Sequence, residues 1–252
     1  MLLTAGLADI SFFQLFLVGA MALLASIVGG LAGYGTGVLM PLVLVPMVGA
    51  EPVVPIISIS ALFTNSSRVA AFRQHVDLRR ALIVLAAAVP TCVIGAYGYT
   101  RLTDRGALMV IGVMLAFTVP LRRLLARRAV HLGSAGLAVG AAGFGALAGG
   151  TTGAGIILLS ILMAAGLEGA AVIATDAAVS IVIGLVKIAV FGGVGVITPQ
   201  VIALALLIGL VALPGAFIAK AILTRLPLRI HTAILDAVVL LGGAFMVLSA
   251  WR

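Results

Sequence analysis

Residues 29–37 read GGLAGYGTG, and residues 145–153 read GALAGGTTG. The second stretch follows the first after 116 residues, and each interrupts a long apolar segment. The matching residues are Gly29, Leu31, Ala32, Gly33, Thr36 and Gly37 in the first copy and Gly145, Leu147, Ala148, Gly149, Thr152 and Gly153 in the second. Glycine-rich breaks repeated in corresponding membrane segments are typical of transporter cores, where broken helices build a substrate site near the bilayer midplane.

The composition indicates a membrane protein. The chain is 63% hydrophobic and 9% charged, which is more apolar surface than a soluble protein of 252 residues could bury. Apolar runs of about 20 residues, long enough to cross the hydrocarbon core, recur along the whole sequence. The net charge of +8 comes from basic residues in the short gaps between these runs, so it indicates topology and not a nucleic-acid partner.

The apolar pattern predicts about ten helical segments. They are residues 11–28, 36–48, 52–72, 78–100, 105–121, 134–149, 153–165, 168–191, 199–223 and 229–250. The stretch 11–49 would form a straight helix of about 58 Å, nearly twice the membrane thickness, so it must fold back at its break. The second break implies the same for 134–165. We therefore expect an all-α, polytopic helical bundle with broken or re-entrant helices at the start of each repeat.

The two copies predict an inverted repeat. A fold-back pair plus three crossings gives each half an odd parity, so residues 1–128 form one repeat and residues 129–252 enter the membrane from the opposite side. The arginines of 73–80, 122–128 and 225–229 share one side in this scheme, which makes that side cytoplasmic and places both termini outside. An arrangement of eight crossings with parallel repeats is the alternative. We expect the N-terminus, which lacks a basic region before its apolar run, to carry no cleaved signal peptide.

Two halves that each open with G-x-L-A-G-x-x-T-G resemble the sulfite exporter TauE/SafE family of bacterial membrane permeases, over nearly the whole chain. The first copy continues to Pro41, as family breaks usually do, whereas the second copy lacks a proline. The resemblance implies an inner-membrane permease that exports or imports a small anion. The typical cargoes are sulfite, thiosulfate and organosulfonates.

The breaks are the first candidate site. A helix that starts at a break presents free N–H groups and positive dipole character, glycine lets a ligand approach the backbone, and threonine hydroxyls add donors. The candidate substrate-binding residues here are Gly33, Gly35, Thr36, Gly37, Gly149, Thr151, Thr152 and Gly153. The alternative is that these glycines serve only close helix packing.

Polar residues within the spans are the second candidate set, since burying them in lipid is costly. Arg68 is the best candidate for gripping an oxyanion, and Asn65 shares its helix face. Asp176 and Lys187, eleven residues apart on one helix, are candidates for coupling. The alternatives are that Arg68 and Lys187 extend to the interface and that Asn65 and Asp176 bond neighbouring helices.

Together these features predict a secondary transporter that binds a small anion between two repeats and moves it by alternating access. Coupling to protons, with Asp176 as the titrating group, or to the membrane potential is expected. An anion channel and a scaffold subunit without transport remain alternatives. The expected partners are the anion, the lipid bilayer and protons, and a homo-oligomer is compatible with the sequence. No enzyme, cofactor or metal site is expected, because clustered catalytic groups and metal-ligand spacings are missing.

Overall fold

A computed structural model describes residues 10–32, 35–127, 131–222, 243–244 and 246–250. The described residues up to 222 form ten α-helices and a short 3-10 turn, Arg73–His75. Residues 243–244 and 246–250 are also helical, and there is no strand in the described part of the chain. The helices are α1 (Phe12–Ala32), α2 (Thr36–Val48), α3 (Val53–Phe72), α4 (Leu78–Tyr99), α5 (Asp104–Arg127), α6 (Ser134–Gly150), α7 (Gly155–Ala164), α8 (Ala170–Gly193), α9 (Pro199–Ala212) and α10 (Gly215–Ile222).

The sequence-predicted segments agree with these helices within a few residues, with two differences. The connection expected from 122 onward is helical to Arg127. The single segment expected at 199–223 is two helices, α9 and α10, which meet at Leu213 and Pro214. Proline lacks an N–H and disfavours the helical conformation of the residue before it, which explains this break. Most of the expected segment 229–250 lies outside the described residues, and its described part is helical.

The fold is that of a multi-pass membrane protein. Among the described helices, five stretches are long and apolar enough to cross the bilayer: Phe12–Leu31, Val53–His75, Leu78–Tyr99, Ala170–Gly193 and Pro199–Ala221. Large apolar side chains on these helices face outward, such as Phe12 at 86% exposure and Ile94 at 70%, as lipid contact requires. By contrast, α2 and α7 have only 13 and 10 residues, so they span about 20 and 15 Å and cannot cross alone.

Two sets of connections define the two ends of the bundle. Asp77 N donates to Thr175 Oγ1 at 3.0 Å, which places the α3–α4 connection beside the start of α8. Tyr99 Oη donates to Ala50 O at 2.7 Å, and Ala50 N donates to Asp104 Oδ1 at 2.6 Å. The α2–α3 and α4–α5 connections therefore meet at the other end. We call the end that holds residues 73–77 the arginine end, and the end that holds residues 49–52 and 100–103 the opposite end.

The helices of the two halves pair reciprocally. The third helices, α3 and α8, pack on each other, α4 packs on α6, and α9 and α10 pack on α1. Ser26 of α1 donates from Oγ to Ala212 O at 2.6 Å, beside Gly215. The fourth helix of each half thus packs on the first helix of the other half, as an exchange symmetry between repeats requires.

The direction of the central helices is antiparallel. Arg68, near the end of α3, contacts Asp176, near the start of α8, whereas Gly184, farther along α8, lies beside Ser58 on α3. Corresponding helices of inverted repeats run in opposite directions, and those of parallel repeats do not. The eight-crossing alternative with parallel repeats therefore does not fit the fold. The boundary between 1–128 and 129–252 stays a prediction, because residues 128–130 lie outside the described part.

The close approach of α4 and α6 depends on glycine. A Cβ on Gly149 would meet the carbonyl oxygen of Cys92, and Cβ on Gly145 would meet that of Ala88. Nothing lies within 4 Å of the position that a Cβ on Gly143 would take, and Gly143 is on the same helix.

We therefore expect Gly149→Ala to lower the thermal unfolding temperature in detergent, with a cost of about 1–3 kcal/mol from overpacking. The matched variant Gly143→Ala should unfold at the wild-type temperature or above it, because alanine favours helix over glycine. Equal unfolding temperatures for the two variants would contradict this packing of α4 on α6.

Candidate functional site

A cavity of about 130 Å³ lies between the two halves, with α3 and α8 on its sides and both breaks at its walls. The volume is enough for several water molecules or one small inorganic anion. Ten of the sequence-predicted site residues line it: Gly35, Thr36, Gly37, Asn65, Arg68, Thr151, Thr152, Gly153, Asp176 and Lys187. Residues from 35 to 187 in the chain thus come together at one place.

One predicted site residue in the described part of the chain is not part of this arrangement. Gly149 is not among the lining residues and packs against Cys92 and Ala96 of α4, which is the packing role that the sequence left open for the glycines. Gly33 lies outside the described residues. The cavity adds Ser58 of α3, Ser180 of α8 and Ser26 of α1, which were not among the predicted site residues. Ser180 follows Asp176 by four residues, and this helical spacing is the signal that points to it.

Arg68 and Asp176 form a buried ion pair between α3 and α8. Arg68 Nη1 lies 3.0 Å from Asp176 Oδ2, with the two side chains 10% and 1% exposed. Arg68 Nη2 donates to Asn65 Oδ1, one turn earlier on α3. The guanidinium therefore points into the protein, and the alternative in which Arg68 extends to the interface does not hold. Because breaking such a pair would leave a buried charge, this contact fixes α3 against α8.

Lys187 is also buried, at 7% exposure, and its Nζ donates to Thr151 O at 3.2 Å in the second break. The alternative in which Lys187 extends to the interface is therefore wrong. As the eleven-residue spacing predicted, Lys187 does not contact Asp176, from which it is about 16 Å away along the helix axis. The ionised side chains of Arg68, Asp176 and Lys187 together leave one net positive charge in the cavity wall.

The two breaks contact each other. A Cβ on Gly37 would lie 2.9 Å from Gly153 N and 3.3 Å from Gly153 Cα. Gly153 has a φ of +81°, a left-handed conformation that strains other residues. Because of it, α7 begins at Gly155, a few residues later than the sequence suggested. A larger residue at Gly37 would therefore separate the breaks as well as narrow the cavity.

Both break helices start without a side-chain cap. No side chain accepts a hydrogen bond at the N-caps Gly35 of α2 and Ala154 of α7, as is also true of α3, α6 and α8, whereas Asp77 and Thr198 cap α4 and α9. The Arg80 amide that donates to Asp77 holds the pKa of this half-buried carboxyl below its ordinary value. The first amides of a helix have no partner within it, so uncapped starts at a cavity leave donors for an acceptor such as an anion.

Two buried polar atoms of the cavity wall lack a hydrogen-bond partner among the described residues: Thr152 Oγ1 and Asp176 Oδ1. Leaving a buried polar atom unsatisfied is costly, so each is a position where a ligand or a proton would be stabilised. The Thr152 hydroxyl can donate to an anion, and Asp176 Oδ1 can carry a proton.

The two histidines in the described part of the chain take no part in this site. His75 and His131 are exposed, and His231 lies outside the described residues. Within the described ranges, no group of three or more His, Cys, Asp or Glu side chains has a geometry that could hold a metal ion.

Comparison with known proteins agrees with the resemblance noted above. The sequence model of the family described as Sulfite exporter TauE/SafE matches residues 18–246, which is most of the chain. Searches of curated proteins and of solved structures give no match. The matched range includes both breaks, α3 and α8. The chain therefore belongs to the sulfite exporter TauE/SafE family of membrane transporters.

Proposed function

We propose that this protein is a secondary transporter that binds a small oxyanion, sulfite or a related organosulfur anion, in the cavity between its two halves. The observation that carries the proposal is the cavity wall itself. Both breaks and both third helices contribute to it, and its three ionisable side chains leave one net positive charge. A buried excess cation favours an anionic ligand, because the anion removes the cost of an uncompensated charge.

Each polar group has a role in this proposal. Lys187 supplies the charge that no carboxylate contacts in the described structure, and Thr152 supplies an unpartnered hydroxyl. The uncapped starts of α2 and α7 supply backbone N–H groups from opposite halves. An oxyanion with three or four oxygens can accept from all of these at once.

Transport follows from an anion that is bound by both halves. Relative motion of the halves would open the cavity first to one end of the bundle and then to the other, which is alternating access. The antiparallel α3 and α8 form the main contact between the halves and are where such motion would take place. We further propose proton coupling through Asp176, the one acidic residue in the described helices that are long and apolar enough to cross the membrane.

The orientation in the inner membrane is part of the proposal. Arg73, Arg79 and Arg80 cluster at the arginine end, which the positive-inside rule makes cytoplasmic, so both termini should face outward. A homo-oligomer remains compatible with the fold.

Single-cysteine labelling tests this orientation in a Cys92→Ala background. We expect Arg79→Cys, at an exposed residue of the arginine end, to react with a membrane-impermeant maleimide only from the cytoplasmic side. Val194→Cys, 49% exposed just after α8, should react only from the outside. Labelling of both positions from one side would contradict the antiparallel arrangement, and exchanged sides would reverse the orientation.

Lys187→Met tests the binding site. Losing a charge-assisted hydrogen bond of about 1.5–3 kcal/mol should weaken sulfite binding by about 10-fold to 150-fold, with a parallel loss of sulfite uptake into proteoliposomes. The folded protein should remain as stable as wild type, because a buried charge has been replaced by an apolar side chain of similar length. Binding is measured by calorimetry on purified protein and stability by thermal unfolding.

Lys220→Met is the matched control. Lys220 is also a helical lysine that donates to a carbonyl, that of Ala71 at 2.7 Å, but it does not line the cavity. It should bind sulfite with wild-type affinity. Wild-type binding by Lys187→Met would exclude the cavity as the anion site. Rapid uptake that does not saturate with sulfite concentration would indicate a channel in place of a transporter.

A further inference from the structure

Arg68 has both of its terminal nitrogens engaged by the protein. Nη1 lies 3.0 Å from Asp176 Oδ2, and Nη2 donates to Asn65 Oδ1. A guanidinium has five N–H donors, so these two bonds leave others, but an oxyanion that takes the edge of Arg68 held by Asp176 must replace the carboxylate there. Asn65 is adjacent on the same helix and neutral. Asp176 comes from the other half and carries the same charge as the ligand.

Asp176 is better suited than Asn65 to be the Arg68 partner that an oxyanion displaces. One carboxylate oxygen, Oδ2, holds Arg68, while the other, Oδ1, is buried without a partner and the residue lines the cavity. The carboxylate thus places two oxygens on one atom beside a guanidinium, which is the same pattern that sulfite offers. An ionised Asp176 and a bound oxyanion at Arg68 would repel each other at short range.

The charged groups around Asp176 are few. The elements that pack on α8 carry Arg68 on α3, Arg73 and His75 in the 3-10 turn, and Asp77, Arg79 and Arg80 at the start of α4. Of these, Arg68 is the one with an ion pair to Asp176 in the described structure. A carboxylate that leaves Arg68 therefore has no second cation in contact and is stabilised by taking up a proton, which adds one proton to Oδ1 or Oδ2 and removes the negative charge.

On the basis of the proposed function, we propose that Asp176 is an internal competitor for Arg68. Its carboxylate holds Arg68 Nη1 while the cavity is empty of substrate, and an oxyanion that reaches this end of the cavity, away from Lys187, takes that contact by displacing it. The displacement breaks the contact between Arg68 on α3 and Asp176 on α8, so anion binding loosens the two central helices at the moment of loading. Asp176 thereby sets both the affinity for the anion and the step that frees one half from the other.

Removing the competitor tests the idea. Asp176→Asn should bind sulfite more tightly than wild type, by about tenfold or more, because the anion no longer has to displace a carboxylate. Loss of negative charge alone would also favour anions, so the change is repeated in an Arg68→Gln background. Competition through Arg68 predicts that Asp176→Asn gives no gain there, whereas a general charge effect predicts the same gain in both backgrounds.

A control and a second measurement make the result decisive. In a Lys187→Met background the gain from Asp176→Asn should persist, since Lys187 does not contact Asp176. If Arg68→Gln does not fold, infrared difference spectra replace it. Adding sulfite to wild type should change the carboxyl bands of one residue, and these changes should be absent from Asp176→Asn.

The outcomes separate this inference from the proposed function. Wild-type sulfite binding without tighter binding by Asp176→Asn overturns the competition alone, as does an equal gain with and without Arg68. Identical infrared difference spectra of wild type and Asp176→Asn overturn it too. If neither wild type nor Asp176→Asn binds sulfite or a related oxyanion, the proposed function fails as well.

Discussion

The structure depends on the cost of placing charge inside a membrane. Arg68 and Asp176 are buried in helices that cross the bilayer, and each is tolerable there because the other neutralises it at 3.0 Å. This one contact joins the third helix of the first half to the third helix of the second. It fixes the register of these antiparallel helices, so that Asn65, Ser58 and Ser180 line the same cavity. Lys187 is then the cation of the cavity wall that no carboxylate contacts in the described structure.

The two breaks form the rest of the wall of the cavity that the ion pair lines. Gly37 lies too close to Gly153 N to tolerate a side chain, and the positive φ of Gly153 strains any other residue there. The contact between them brings the uncapped starts of α2 and α7 to the same cavity. The two short helices cannot cross the membrane alone, but their N-termini reach this cavity. They carry backbone donors to the middle of the bundle, where side-chain charge is costly and a helix N-terminus supplies a positive end without a charged side chain. The proposed anion site is then built from two halves that approach it from opposite ends.

Most of the fold could be predicted from the sequence, because apolar runs of fixed length and glycine-rich breaks are local signals. The start of α2 at Thr36 is an example.

What the sequence did not predict depends mainly on tertiary contacts. Arg68 and Asp176 are 108 positions apart, so no local pattern indicated that they pair. An acid and an arginine within spans are nevertheless expected to form an ion pair in lipid. Lys187 stands six residues from the end of α8, a spacing that fits either an interfacial or an inward side chain, and only the position of Thr151 decides it. The break between α9 and α10 is an exception, because Pro214 was a local signal for it that the sequence-based prediction missed. Gly149 matched the motif but packs against α4, which the repeat could not reveal.

The central claim is that one oxyanion lies between the two breaks and is held by both halves. A crystal structure with selenite, a sulfite analogue whose selenium scatters anomalously, tests it most directly. The expected result is one anomalous peak between residues 35–37 and 151–153, within hydrogen-bonding distance of Lys187 Nζ and Thr152 Oγ1. A peak outside this cavity, or an occupied cavity that touches one half alone, would contradict it.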